Sequence, residues 1–180
     1  MKNNINKYDY VHPFKEGLAK VEFNKKCGFI NLNHEEIVPC IYDEATPFTE
    51  GMARVELNDN YGYINQFGNE IIPCKYYYIG SFNDYIDKDG EGLARITISK
   101  DFGLIDRQGQ EYIFKKGKVL DLIEGSLYYC KYKGDMLFKL GNFIGDKKSL
   151  VEMIESTYGY NNDVINCFLY ISEIEDMIMS

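Results

Sequence analysis

The sequence predicts an α+β protein that is mainly β: tandem antiparallel β-hairpin repeats in an open array, followed by a divergent hairpin and two C-terminal helices. One segment occurs three times, and its first two copies begin at Phe14 and Phe48. Apolar and polar residues alternate with period two inside each copy, which is typical of half-buried strands. Helical periodicity is confined to the C-terminal end. We therefore expect three repeats over residues 1–114, a hairpin over 115–146 and a helical cap over 147–180.

The three copies read FKEGLAKVEFNKKCGFIN (14–31), FTEGMARVELNDNYGYIN (48–65) and GEGLARITISKDFGLID (90–106). The third copy lies seven residues later than the spacing of the first two would place it, so an insertion follows Phe82. Each copy contains two strand-like runs joined by turn residues, which predicts one hairpin per repeat. A single hairpin is marginal in water, so the hairpins are expected to stack and bury one side, including Ala19, Ala53 and Ala94.

Two sets of glycines recur with the repeat. The first set precedes a strand in each copy and is expected to superpose in successive hairpins: Gly17, Gly51 and Gly92. The second set lies in strand centres and is expected to mark positions where only hydrogen fits or where a bulge bends the strand: Gly28, Gly62 and Gly103.

The pattern YD-x-x-x-x-F-x-EG-L-A-x-V, followed by aromatic-G-aromatic-I-D/N and I-I-P, resembles bacterial WG repeats over residues 8 to about 114. The Trp of that motif is replaced by Cys27, Tyr61 and Phe102, while the following Gly is kept. The resemblance implies a tandem β-repeat scaffold of bacterial or phage type without a shared catalytic site.

Residues after 114 depart from the repeat. The runs SLYYCKY and MLFKL, separated by KGD, predict one divergent hairpin. A capping box of Ser149 and Glu152 predicts the start of a helix that Gly159 ends. In the last helix Leu169 and Tyr170 widen an apolar stripe consisting of Val164, Cys167, Phe168, Ile171, Ile174 and Ile178. This helix is expected either to cap the open end of the repeat array or to offer a docking surface.

Charge and cysteine content restrict the class of function. The net charge of −8 disfavours direct binding to nucleic acid, which depends on Lys and Arg. Residues 115–151 hold 8 Lys/Arg against 4 Asp/Glu, whereas residues 152–180 hold none against 6. These segments neutralise each other across the fold or leave a basic patch open for an acidic partner. Five scattered cysteines, the lack of an apolar signal-peptide core and the lack of a membrane-spanning run predict a reduced cytoplasmic protein.

No catalytic, metal or cofactor motif is predicted. His34 occupies the turn position of Gly68 and Gly109, so it is interpreted as a turn residue. Cys40 and Cys74 are equivalent in their repeats but lack the further ligands of a zinc site. The segment NDYIDKDGEG fails the ligand spacing of a calcium loop. The recurring Glu16, Glu50 and Glu91 each precede a repeat glycine and are attributed to the turn they share.

The sequence therefore favours a non-enzymatic protein–protein interaction module with an acidic, Tyr-rich surface, since the chain holds 16 Tyr. The expected partner is one other protein, with a basic surface. Its contacts are predicted in the inserted loop, at Asp84, Tyr85, Asp87 and Asp89, and on the last helix, at Leu169 and Tyr170. Tyr85 is expected to anchor the partner and Asp87 to lie at a wetted rim, with folding independent of both.

Two alternatives remain open at this stage. The first is a phage-type inhibitor that blocks a nucleic-acid-handling host protein such as a CRISPR effector, because an acidic surface competes for a basic groove. The second is a small-ligand binder or enzyme that uses a cleft between the repeats and the C-terminal helices. A concave pocket with convergent polar groups and a perturbed pKa would distinguish the second from a binding module.

Overall fold

The computed structural model describes residues 7–119, 126–159 and 162–179. Contacts divide the chain into two compact units, Met1–Glu111 and Tyr112–Ser180. Three antiparallel sheets follow each other along residues 10–113, and the second unit contains a further antiparallel sheet and two helices. The expectation of a mainly β fold with two C-terminal helices is thus confirmed.

The first two sheets are four-stranded meanders with the same order and register. In both sheets a repeat valine faces a repeat glycine across the central hairpin, Val21 opposite Gly28 and Val55 opposite Gly62. The strands of the first sheet are β1 (Tyr10–Val11), β2 (Leu18–Phe23), β3 (Lys26–Asn31) and β4 (Glu36–Tyr42). Those of the second are β5 (Glu44–Ala45), β6 (Met52–Leu57), β7 (Asn60–Asn65) and β8 (Glu70–Tyr76).

The third sheet repeats this arrangement with one additional strand. Its strands are β9 (Tyr78–Ile79), β10 (Tyr85–Ile86), β11 (Gly92–Ile98), β12 (Asp101–Ile105) and β13 (Glu111–Ile113). β9 pairs with β11 as β1 pairs with β2 and β5 with β6. β10 is the addition, and it pairs with the first residues of β11.

Two of the strand-centre glycines are required by close backbone approach, as predicted. A Cβ on Gly28 would lie 2.4 Å from the Val38 carbonyl oxygen, and one on Gly62 would lie 2.4 Å from the Ile72 carbonyl oxygen. The pairing register shifts beside both glycines, because the neighbouring strand bulges toward them.

The glycines before the strands are not all equivalent. Gly17 and Gly51 have φ of 82° and 79° and follow a glutamate in a tight two-residue turn. Gly92 instead is the first residue of β11, and the left-handed turn position is taken by Gly90, with φ of 83°. Gly92 keeps the register of Gly17 and Gly51, two residues before the repeat alanine, but it does not share their left-handed conformation, because the insertion lengthens this turn.

The repeats stack through aromatic side chains, which confirms that apolar surface is buried between successive repeats. Phe48 packs edge-on against Phe29 of the preceding repeat, with ring centroids 4.7 Å apart. Phe82 contacts Tyr63 of the preceding repeat at 5.1 Å, with the two rings tilted. Ala19, Ala53 and Ala94 are fully buried. One apolar cluster includes residues of the first two sheets together, so hairpins too small to fold alone share a core.

The predicted divergent hairpin is the centre of a four-stranded sheet in the second unit. Its strands are β14 (Lys115–Val119), β15 (Ser126–Tyr132), β16 (Asp135–Leu140) and β17 (Phe143–Gly145), and the helices are α1 (Lys147–Tyr158) and α2 (Asn162–Met179). The residue that caps α1 is Asp146, whose side chain accepts a hydrogen bond from the Ser149 amide. Ser149 is therefore an N3 residue and not the predicted cap, whereas Gly159 ends the helix as predicted.

The apolar stripe of α2 packs on the sheet of its own unit. Val164, Cys167, Ile171 and Ile174 are buried in one cluster with residues of β15, β16 and α1. In the described parts of the chain, neither helix combines the length and apolar content needed to cross a bilayer.

Candidate functional site

The seven inserted residues lengthen a hairpin turn. In the first two repeats a Glu-Gly pair closes the turn, and the flanking residues bridge directly: Lys15 with Leu18, and Thr49 with Met52. In the third repeat the corresponding segment runs from residue 83 to residue 93 and carries the extra strand β10. We call residues 83–93 the inserted hairpin.

The tip of the inserted hairpin uses a turn that the scaffold already contains. The Asp87 carboxylate accepts hydrogen bonds from the amides of Asp89 and Glu91, at 2.9 and 2.8 Å. Asn31, Asn65 and Asp106 accept bonds from the residues two and four positions later in the same way. The pattern Asn/Asp-x-x-Gly, visible as DKDG, NQFG and DRQG, could have identified this turn from the sequence.

The carboxylates of the inserted hairpin have different surroundings. Asp87 is only 7% exposed, so the expectation of a wetted rim is wrong for this residue. The Asp84 carboxylate accepts a hydrogen bond from the Arg95 amide at 3.2 Å. Asp89 is exposed, Ile86 is half-exposed and Tyr85 is half-buried. Asp84 and Asp87 thus hold the hairpin in shape, while Tyr85, Ile86 and Asp89 reach its surface.

The two candidates on α2 also differ. Leu169 is 58% exposed, whereas Tyr170 is half-buried and packs against the apolar cluster of the second unit. The Tyr170 hydroxyl would lie 3.2 Å from a Cβ built on Gly117 of β14. Consecutive helical residues point about 100° apart, which is why one contacts the sheet and the other does not. The predicted site residues therefore fall in both units.

Two of the recurring glutamates, Glu16 and Glu50, join different repeats, which the sequence interpretation missed. The Glu16 carboxylate accepts hydrogen bonds from the backbone amides of Glu50 and Gly51, at 2.7 and 2.9 Å. These bonds, first of all that from Gly51, lower the pKa of Glu16. The Glu50 carboxylate in turn forms an ion pair with Arg107 of the third repeat. Contacts between repeats therefore add a reason for this recurrence beyond the local turn.

Two grooves adjoin the Glu50–Arg107 ion pair. The first encloses about 360 Å³, and the second about 340 Å³. Both are bordered by Asn83, at the start of the inserted hairpin. The first groove is lined by Lys15, Thr46, Pro47, Thr49, Glu50, Met52, Arg54, Tyr63, Ser81, Phe82, Asn83 and Arg107. The second is lined by Glu50, Asn83, Ile86, Gly90, Glu91, Gly92, Asp106, Arg107 and Gln108.

The remaining chemical candidates have structural roles. Burial raises the pKa of the Cys74 and Cys130 thiols to about 12, so these groups are poor nucleophiles at neutral pH. His34 has φ of 63° and lies in the turn predicted for it. Among the described residues no group of His, Cys, Asp and Glu side chains is placed to hold a metal ion.

Comparison with known proteins agrees with this architecture. The family described as "WG containing repeat" matches three consecutive segments, residues 4–27, 28–61 and 61–84. This family is not known as an enzyme family. No curated protein and no solved structure matches the chain. The strands of the third sheet continue the same pattern beyond the matched segments. The repeats within residues 4–84 are thus similar to WG repeats, in agreement with the resemblance seen in the sequence.

Proposed function

We propose that this chain is a protein-binding module and that its inserted hairpin contacts one partner protein with a basic surface. The main observation in support of this proposal is the addition of β10 and its Asp87-centred turn. In the first two repeats the same hairpin closes with a two-residue Glu-Gly turn. The stacked repeats supply a rigid support, and a segment that projects from such a support is a common place for recognition.

The surface of the inserted hairpin combines apolar contact area with negative charge. Ile86 is 50% exposed and lies between Tyr85 and the acidic tip. Asp89 and Glu91 at that tip are exposed. Aromatic side chains at the centre of an interface frequently provide most of the affinity, while charges at its edge steer association. Tyr85 would be the anchor, and the exposed carboxylates would attract Lys and Arg of the partner.

A second aromatic group extends this surface along the same sheet edge. β9 and β10 both pair with β11, so they form one edge of the third sheet. Tyr77 and Tyr78 in this part of the chain are 64% and 48% exposed. Tyrosine suits such a position because it offers a large contact area and a polar hydroxyl with few rotatable bonds.

Site-specific photo-crosslinking tests the proposed surface. A photoreactive residue is placed at Ile86 in the inserted hairpin, and separately at Leu32, an exposed turn residue of the first repeat, as a matched control. We expect the Ile86 probe to capture one protein from the source cell, less efficiently at high salt, and the Leu32 probe not to capture it. Equal capture at both positions, or capture only by a third probe at Leu169, would refute the assignment to the hairpin.

The purified partner then permits a quantitative test of the anchor. Tyr85→Ala is expected to cost about 2 kcal/mol or more of binding free energy, the range of an interface hot spot. Tyr10→Ala removes another exposed tyrosine, in the first repeat, and should leave the affinity unchanged. Calorimetric titration of both variants measures the difference, and equal affinities would exclude Tyr85 as the anchor.

A further inference from the structure

We propose that the first groove is a binding site for a small organic anion, in which a carboxylate or phosphate group is attached to an apolar body. Three cationic side chains, Lys15, Arg54 and Arg107, line this groove together with a single carboxylate, Glu50. The chain as a whole carries a net charge of −8. The groove is therefore a positively charged region of an acidic protein, and a concave site lined by one sign of charge concentrates ligands of the opposite sign.

The first repeat provides an internal comparison for Arg54. Lys20 occupies the equivalent position of that repeat, and its ammonium lies 3.1 Å from the Glu22 carboxylate. The Arg54 guanidinium instead donates to the Ile79 carbonyl oxygen at 3.2 Å and lies over the Tyr61 ring. No carboxylate of the described ranges forms an ion pair with Arg54. The Arg54 guanidinium is thus held by a backbone carbonyl and an aromatic ring, whereas the Lys20 ammonium is held by a carboxylate.

Arg107 also lines this groove. Its guanidinium lies 4.7 Å from the Phe82 ring centroid and pairs with Glu50. Because Glu50 offsets this charge, Lys15 and Arg54 supply the excess positive charge for an anionic ligand. An anion near Arg54 would gain charge-assisted hydrogen bonds, which are stronger than those between neutral groups.

The walls of the groove favour an apolar body over a bare inorganic ion. Tyr63 and Phe82 contribute aromatic surface, and Pro47 and Met52 contribute aliphatic surface. Thr49 and Ser81 add hydroxyl groups beside the cations. The volume of about 360 Å³ lies within the range of small-molecule sites, which are typically apolar with a few placed polar groups.

Chemical-shift titration of the full-length ¹⁵N-labelled chain tests this site without any partner protein. Benzoate and phenyl phosphate carry the two anionic groups on the same ring, inorganic phosphate carries only the anion, and benzyl alcohol carries only the ring. We expect saturable shifts at the Thr49, Arg54 and Ser81 amides with benzoate or phenyl phosphate. Whichever of these two ligands binds with the higher affinity shows whether the site prefers a carboxylate or a phosphate group. Inorganic phosphate and benzyl alcohol should bind at least about tenfold more weakly.

Charge-removing variants separate a specific site from general attraction. Arg54→Gln and Lys15→Gln should each weaken binding about tenfold, whereas Arg54→Lys should retain most of it. Lys20→Gln removes the same charge at the equivalent position of the first repeat and should have no effect. If Arg54→Gln does not fold, Lys15→Gln carries the test, because Lys15 is exposed.

Three outcomes would overturn the proposal: no saturable shift at the groove amides, equal binding of benzyl alcohol, or unchanged affinity in Lys15→Gln. None of them bears on the inserted hairpin, whose test requires the partner protein, so the two proposals fail separately.

Discussion

Replacing Gly62 by Ala places a methyl group where the backbone of the neighbouring strand already lies. The added Cβ would be 2.4 Å from the Ile72 carbonyl oxygen, 2.8 Å from the Cys74 amide nitrogen and 2.9 Å from the Pro73 carbonyl carbon. All three are backbone atoms of β8, so no side chain can rotate away to relieve the contact. The strand would have to move by about 1 Å to restore ordinary van der Waals separation.

The expected loss of unfolding free energy is about 3 kcal/mol. Overpacking of a dense core costs about 1–3 kcal/mol, and the displaced strand would also weaken its hydrogen bonds to β7. For a chain of this size the midpoint of thermal unfolding should fall by roughly 6–12 °C. Urea unfolding followed by circular dichroism measures the free energy. Gly28→Ala should cost about the same, because its Cβ would also lie 2.4 Å from a carbonyl oxygen.

Gly51→Ala is the matched control for this prediction. A Cβ on Gly51 meets no atom within 4 Å, so the substitution costs only the strain of φ at 79°. That strain amounts to about 1 kcal/mol. If Gly62→Ala were no more destabilising than Gly51→Ala, the close approach of β7 and β8 would be refuted as the reason for the glycine.

Three further predictions follow from burial and electrostatics. Truncating Val55, which is 1% exposed, to Ala should lower the free energy of unfolding by about 1–3 kcal/mol. Urea unfolding measures this change, and a smaller loss would contradict the place of Val55 in the core. The hydrogen bond from Lys75 lowers the pKa of Glu111, so this carboxylate stabilises the fold above its ordinary pKa of 4.5, and that contribution is lost as pH falls through the lowered value. Glu111→Gln should therefore flatten the decline in stability between about pH 5 and pH 3, whereas an unchanged decline would exclude this pair. Burial raises the pKa of Cys74 and Cys130 to about 12, so both should react with a thiol reagent at pH 8 only slowly until urea is added, and rapid labelling of the native chain would contradict their burial.

Local patterns predicted the repeat scaffold well. The regular spacing of the first two copies and the alternation of apolar residues placed Ala19, Ala53 and Ala94 in the core. Gly28 and Gly62 were recognised because a glycine in a strand centre usually marks a bulge or a close approach of another backbone. These features depend on neighbours close in sequence, so a single chain is enough to infer them.

Contacts between repeats were harder to foresee. Glu16 was attributed to its own turn, although its carboxylate accepts hydrogen bonds from the turn of the next repeat. The first groove combines Lys15, Arg54 and Arg107, which only the stacking of three repeats brings together. The inserted hairpin was located correctly, but Asp87 was assigned to the surface because its similarity to the Asn65 turn was not recognised. At α1 the sequence analysis predicted Ser149 as the capping residue, whereas the structure uses Asp146, three residues earlier.

The most direct test of the inserted hairpin as a binding surface is to restore the short turn. Replacing residues 84–92 by Glu-Gly gives Asn83-Glu-Gly-Leu93, which copies the turns of the first two repeats. Because this turn already closes two hairpins of the same scaffold, the variant should fold, with an unfolding free energy within about 1 kcal/mol of the parent chain. The account predicts that its affinity for the crosslinked partner, measured by calorimetric titration, falls by about a hundredfold or more. A folded variant that binds the partner as tightly as the parent chain would contradict it.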